Sequence, residues 1–259
     1  MKIILKLGGS VICDKSRPFA IRYSVLDRVA KEIARFLQEE KEIKLIIIHG
    51  GGSFGHYVVH EYLRDKRELD TEALVAIEYS MLELSMIIAS HLINASIPVS
   101  LVTTHAIAGF NQDNSLKIYT EWIEKLLENG IIPLLYGDAV ISKNNIVKIL
   151  SGDTLAWELA YKLQVDKLLF ATSVDGVYTA SPDNPNAKLL SEIKLSEIAR
   201  FSYTTPSTFD VTGGMLTKLK EGIGKIRPGM RVYIFNGLRE EEIYRALRDR
   251  PLKGTVVIP

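Results

Sequence analysis

The sequence predicts an α/β fold: a three-layer αβα sandwich with a central, mostly parallel sheet. Three observations carry this expectation. Short, buried-looking apolar runs alternate along the chain with longer amphipathic segments. The runs read as strands covered on both faces, which is how parallel sheets are built. Glycine clusters follow several of the runs, at the strand ends where open α/β sheets bind their ligands.

Taken in order, KIILKL (2–7) reads as the first strand. Residues 24–40 carry Leu26, Val29, Ala30, Ile33, Phe36 and Leu37 at helical spacing. KLIIIH (44–49) is a second buried strand, and GGGSFGH leads from it toward a helix that starts near His56. Residues 70–95 predict a long helix, with Asp70 as its N-cap and acidic residues in its first turn. IPVSLV (97–102) is a strand, 118–130 a helix and IIPLL (131–135) a strand. AVIS and NIVKI flank Lys143, Asn144 and Asn145 as a hairpin. Residues 152–164 form a helix, 166–172 a strand, and 175–188 a polar loop rich in Pro and Asn. A helix at 213–226, a strand at 231–236, a helix at 239–249 and a strand at 254–258 complete the series.

The chain of 259 residues is 47% hydrophobic and 24% charged, enough for one large α/β domain or two closely joined lobes. A soft division near residue 165 separates approximate lobes 1–164 and 165–259. The formal net charge of +1 argues against a nucleic-acid binder that relies on bulk positive charge. Cys13 is the single cysteine, so no internal disulfide forms, which suits a reducing compartment. The start, MKIILKLGGS, lacks the long apolar core of a signal peptide, and no stretch reads as a membrane span. The expectation is a cytoplasmic protein with neither nucleic acid nor membrane as partner.

Gly8-Gly9-Ser10, Gly50-Gly51-Gly52, Ser151-Gly152-Asp153 and Gly213-Gly214 lie at strand ends or helix starts. Glycine admits a phosphate close to backbone N–H groups, and helix N-termini add partial positive charge. One such cluster would be only a turn; four in one sheet point to an anion site. Neither the P-loop nor the G-x-G-x-x-G pattern fits. Lys6, Lys15 and Lys218 each stand beside a glycine cluster. Lys6 sits among apolar strand residues, where an ammonium is costly without an anion to meet.

His56 and His60 are spaced for one helix face, but Tyr57 stands where a zinc protease needs Glu, and no third ligand is near. No metal site is expected from the protein's own ligands. His49 reads as a packed, hydrogen-bonded strand end and His60 as a structural or surface residue. His56, just after Ser53-Phe54-Gly55, is placed to donate to a bound anion.

These motifs are where a resemblance enters. KLGGSVICDK, HGGGSFGH and DVTGGMLTKL together resemble the amino acid kinase family over essentially the whole chain. The histidine closing GGGSFGH is similar to that of the family's isoprenoid-monophosphate and fosfomycin kinases. The resemblance implies ATP and Mg²⁺ as cofactors, a small isoprenoid monophosphate as acceptor, and a homodimer. It implies that Lys6, Gly8, Gly9 and Ser10 contact ATP phosphates and that Lys15 stabilises the transition state. Gly51, Gly52, His56 and Gly152 would hold the acceptor phosphate, with Gly52 shared with the ATP side. Asp153 would orient the lysines. Thr172, Asp175, Gly176 and Tyr178 would lie near the nucleoside, and Gly214 and Lys218 would close on the ATP phosphates.

The residue chemistry agrees. A phosphate acceptor is already anionic and needs no general base; its obstacle is repulsion between two anions, which lysines, N–H groups and Mg²⁺ relieve. A carboxylate acceptor would need no base either. The acceptor's far end should meet an apolar pocket, and Ile77, Met81 and Leu84 on the long helix are the candidates. The rival expectations are a kinase for another small phosphate or phosphonate, such as fosfomycin, and a non-catalytic nucleotide sensor on the same fold.

Overall fold

Alternate side chains along the apolar runs enter two different cores, and this decides the layering. The structure is a computed structural model that describes residues 1–65, 68–201 and 213–259. In chain order the strands are β1 (Lys2–Leu7), β2 (Lys44–His49), β3 (Val99–Leu101), β4 (Ala108–Phe110), β5 (Leu116–Ile118), β6 (Ile132–Tyr136), β7 (Asp138–Ile141), β8 (Val147–Leu150), β9 (Lys167–Thr172), β10 (Glu192–Lys194), β11 (Arg231–Asn236) and β12 (Gly254–Ile258). The helices are α1 (Gly9–Ile12), α2 (Tyr23–Glu39), α3 (Gly52–Asp65), α4 (Thr71–Asn94), α5 (Thr104–Ile107), α6 (Glu121–Glu128), α7 (Gly152–Lys162), α8 (Leu195–Phe201), α9 (Gly213–Glu221) and α10 (Glu242–Leu247).

Among the described residues, eight strands form one sheet in the order β10-β12-β11-β9-β1-β2-β6-β3. Its neighbours pair parallel except β11 with β12. Ile4, Ile46, Ile48, Leu168 and Phe170 face a core shared with α6, α7 and α9. Ile3, Leu5, Ile47, Leu169 and Ala171 face the other core, with α2, α4 and α10. That period of two, with apolar side chains on both faces, is why the runs lack polar alternation. The stretches before and after residue 165 share one sheet, which passes from one to the other at the β1–β9 pair.

The predicted elements are found, with changes at their ends. Asp70 caps α4, accepting from Ala73 N at 2.9 Å. The hairpin is β7–β8, with Asn145 in the left-handed region at φ 58°. The helix expected at 118–130 begins only at Glu121, because Leu116–Ile118 pairs antiparallel with Ala108–Phe110 in a second hairpin. The strand expected at 97–102 is three residues, Val99–Leu101. The last helix shortens to Glu242–Leu247 because Glu241 takes φ 66°. The helix expected at 213–226 ends at Glu221, and the Asp210, Val211 and Thr212 that open its motif lie outside the described residues. α4 is long and apolar enough to cross a membrane by length and composition, yet half of that window is buried inside the protein.

Candidate active site

Four glycine-bearing turns meet at the carboxyl ends of β1, β2 and β6, and they touch backbone to backbone. A Cβ on Gly9 would lie 2.7 Å from the Cα of Gly52, and one on Gly152 would lie 2.9 Å from the carbonyl oxygen of His49. Gly52 has φ +54°, and a side chain there would also strike the buried Cys13. Only glycine permits these contacts. They place the N-termini of α1, α3 and α7 around one cavity of about 500 Å³. Exposed N–H groups at three helix starts suit an anion.

The lysines arrive from three elements. Lys6 comes from the middle of β1 and is 6% exposed; Lys218 comes from α9 and is equally enclosed. Asp153, in the first turn of α7, joins them: its Oδ1 is 2.7 Å from Lys6 Nζ and its Oδ2 is 2.6 Å from Lys218 Nζ. Burial alone would raise the Asp153 carboxyl, but Lys6 and Lys218 overcome it and hold it well below the usual range. Burial, then repulsion from Lys6, pushes Lys218 down to about 8 despite Asp153. Lys15 is exposed at the mouth of the cavity and is lowered by partial desolvation and by Lys6. Two ammonium groups thus share one carboxylate with a third nearby, and the surplus of positive charge calls for an anion.

The loop that carries Lys15 is fastened to the helix that carries His56. Ser53 Oγ accepts from Ala20 N at 3.0 Å, and Phe19 N donates to the Ser53 carbonyl at 3.3 Å. The Phe19 ring packs edge-on against Phe54 and Tyr57. His56 itself lines the cavity; partial desolvation, then Lys15 and Lys6, lowers its pKa. His49 is fully buried with Nδ1 3.1 Å from the Gly50 carbonyl and Nε2 2.8 Å from Ser85 Oγ, and burial pushes it down to about 4. His60 stands exposed at the surface, 3.8 Å from Glu61.

Gly8, Gly9, Ser10, Gly51, Gly152, Thr172 and Gly214 line the same cavity. Ile77 and Met81 from α4 form one apolar wall, and Val59, Ile149 and Leu150 extend it. Leu84 does not take part: it is fully buried in the core between α4 and the sheet, one helical turn past Met81. Gly52 does not line the cavity; it packs against Gly9 and Cys13.

The nucleoside-side residues divide. Gly176 and Tyr178 line a smaller pocket of about 210 Å³ that shares Val174 and Met215 with the main cavity. Asp175 lines neither pocket. Its carboxylate is 2.8 Å from Arg239 Nε and 2.7 Å from Lys253 Nζ, and it accepts from Asn236 at 3.0 Å. It ties the loop after β9 to the chain around β11 and β12.

Sequence reasoning missed Gly137, Asp138, Ser173, Val174 and Met215, all of which line the cavity. The Gly-Asp pair after IIPLLY follows the same strand-end grammar as the other glycines and was legible. Asp138 is buried, with His105 Nδ1 2.8 Å from its Oδ2 and Glu78 3.7 Å from that ring nitrogen. That link crosses more than thirty residues of sequence, and nothing local announces it.

A profile described as the amino acid kinase family matches residues 1–236. The chain belongs to the amino acid kinase family. Among its relatives there, the isopentenyl phosphate kinase of Methanocaldococcus jannaschii is 35% identical over 267 residues, covering 99% of this chain and 98% of that protein. The isopentenyl phosphate kinase of Methanothermobacter thermautotrophicus is 33% identical, covering 98% and 97%. A crystallographic structure of isopentenyl phosphate kinase superposes with a TM-score of 0.83 at 29% identity, covering 99% of this chain and all of the other. The amino acid kinase fold accounts for the parallel sheet with its converging glycine turns.

Proposed function

We propose that this protein transfers the γ-phosphoryl group of ATP to the phosphate of isopentenyl phosphate, giving isopentenyl diphosphate and ADP, a step of isoprenoid biosynthesis. One observation carries the reading: a single cavity has Lys6, Lys15, Lys218 and His56 at its polar end and Ile77 and Met81 on an apolar wall. That pairing of cation cluster and short apolar wall matches a phosphate with a small hydrocarbon tail.

In the reaction an acceptor oxygen forms a bond to the γ-phosphorus while the bond to the β–γ bridging oxygen breaks, and the electrons leave with ADP. The acceptor oxygen carries no proton that must be removed. We assign Lys6, Gly8, Gly9 and Ser10 to the ATP phosphates, and Lys218 with Gly214 to closing over them. Lys15 offsets charge on the group in flight. Gly51, His56 and Gly152 hold the acceptor phosphate, with His56 donating a ring N–H. Asp153 keeps two of the ammonium groups apart and aimed. Tyr178 and Gly176 face the nucleoside, so residues 1–164 chiefly serve the acceptor and 165–259 the nucleoside.

The donor set fits a nucleotide that brings its own Mg²⁺. Both Asp153 oxygens are taken by lysines, and the described residues contain no group of three His, Cys, Asp or Glu suited to a metal. When bound, Mg²⁺ would neutralise β- and γ-phosphate charge.

Two further assignments go with this reading. The exposed faces of Val75, Tyr79, Met86 and Ile93 lie along one stripe of α4, which supports a homodimer; a single-chain mass by light scattering would refute it. A cytoplasmic location accords with the one free, buried cysteine.

The deciding experiment measures ADP release with Mg²⁺ and ATP, offering isopentenyl phosphate, fosfomycin, UMP and N-acetylglutamate separately, for the native protein and His56→Ala. Turnover of isopentenyl phosphate alone, largely lost in the variant, is expected. Nucleotide binding without turnover of any acceptor would replace the reading with a sensor.

A further inference from the structure

Lys218 is gripped at both ends by one helix. Its ammonium meets Asp153, and its carbonyl accepts a hydrogen bond from Trp157 Nε1 at 2.8 Å, in the buried interior. Asp153 and Trp157 are four residues apart on α7, hence on one face. The carbonyl of Lys218 is among the last four of α9, which have no partner within the helix. Those of Leu219 and Lys220 are satisfied locally by Gly222 N and Ile223 N; that of Lys218 is met by the indole.

Four contacts lock the arrangement. Gly222 lies flat against the indole, and a Cβ there would collide with the six-membered ring. The indole also packs on Phe170, with ring centroids 5.4 Å apart, and Lys218 Nζ stands 4.7 Å over that same Phe170 ring. The next residue on α7, Glu158, pairs with Lys225 at 2.9 Å. α7 is therefore a rail along which the segment 218–225 is docked, with Trp157, fully buried, at its centre.

We propose that Trp157 is a positioning residue for phosphoryl transfer: it fixes the backbone of Lys218 so that the ammonium is delivered to the ATP phosphates. The inference rests on the role assigned to Lys218 above. Trp157 touches no reacting atom. It acts by removing the freedom of α9 to slide or roll on α7, a freedom that would move the ammonium off its target.

The test compares Trp157→Phe and Lys218→Ala with the native protein in steady-state assays with ATP and isopentenyl phosphate, from neutral to alkaline pH. Phe keeps an aromatic ring against Phe170 and loses the N–H donor. The expected result is a loss of about fivefold in kcat/KM for ATP, the worth of one neutral hydrogen bond. KM for isopentenyl phosphate should stay unchanged. The alkaline limb should move upward as Lys218 gains water, its charged neighbours being Asp153 on α7, Lys6 on β1 and Lys15 in the loop after α1. A simple loss of folded enzyme would move neither the limb nor the balance between the two substrates. A Trp157→Phe enzyme that matches the native one while Lys218→Ala is crippled would overturn the positioning role and leave the reaction untouched. A fully active Lys218→Ala would overturn the assignment of Lys218 itself, and the inference with it.

A second measurement does not depend on that variant folding. The chain has two tryptophans, and Trp122 is 68% exposed on α6. In Trp122→Phe the emission of Trp157 stands alone. A non-hydrolysable ATP analogue should shift it, and isopentenyl phosphate alone should not; no shift with the nucleotide analogue would overturn the coupling.

Discussion

Asp153 holds Lys218 at 2.6 Å, and its other oxygen holds Lys6 at 2.7 Å. One carboxylate thus joins α9 to β1 across the cavity. Removing its charge leaves lysines facing one another in an enclosed site. Asp153→Asn should lower kcat/KM by about a hundredfold and reduce stability by roughly 3–5 kcal/mol, the scale for breaking one side of an enclosed ion pair. ATP or inorganic pyrophosphate should recover part of the lost melting temperature by supplying the missing negative charge. Melting curves with and without those anions check this; equal losses in both would refute it.

The depressed Lys218 separates activity from stability along pH. In the free enzyme its ammonium is present below about 8 and lost above it. kcat/KM for ATP should therefore fall on the alkaline side with a midpoint near that value. The stability term has the opposite sign. The unfolded chain keeps this lysine's proton to higher pH than the folded one, so its contribution to stability rises from about pH 8 toward the usual lysine value. Paired pH profiles of kcat/KM and of chemical denaturation, native against Lys218→Met, should show both trends disappear together.

Met81 and Leu84 sit one turn apart on α4 and face different surroundings. Met81 borders the acceptor cavity, with its sulfur close to Gly51 and Gly55; Leu84 is sealed in the core. Met81→Phe should raise KM for isopentenyl phosphate about tenfold and cost about 1–3 kcal/mol by overpacking, since Met81 is buried against Gly51 and Gly55. Leu84→Ala should cost about 2–5 kcal/mol and leave KM unchanged. Substrate titrations and urea unfolding on both variants separate the two, and a changed KM in Leu84→Ala would contradict the placement.

Tyr136 is fully buried, and its hydroxyl has no hydrogen-bond partner among the described residues. Burial, then Asp138 and Glu78, pushes its pKa up, so the group remains a neutral phenol. An orphan hydroxyl is a cost that removal relieves. Tyr136→Phe should be neutral or stabilise the protein by up to about 1 kcal/mol, as equilibrium denaturation would report. A clear loss would mean that the hydroxyl has a partner.

The sequence alone determined the layers, because apolar runs with no polar alternation have few homes outside a sheet covered on both faces. It also pointed to the residues that gather at the polar end of the cavity. Glycine at a strand exit and lysine among apolar neighbours are local signals, and Lys6, Lys15, His56, Gly152 and Lys218 carry them without any knowledge of what lies opposite. Tertiary structure decided what depends on facing partners. A helix stripe names the residues that are buried but not which ones meet a cavity, so Met81 and Leu84 looked alike until α4 was set against β7, β8 and the sheet. Asp175 had the residue type for a ligand contact, yet Arg239, Lys253 and Asn236, all more than sixty residues away, take its carboxylate. Trp157 carries no local signal, because its one informative bond goes to a carbonyl sixty-one residues downstream. Local pattern fixes which groups are costly to leave unpaired; only the folded chain decides which partner relieves each one.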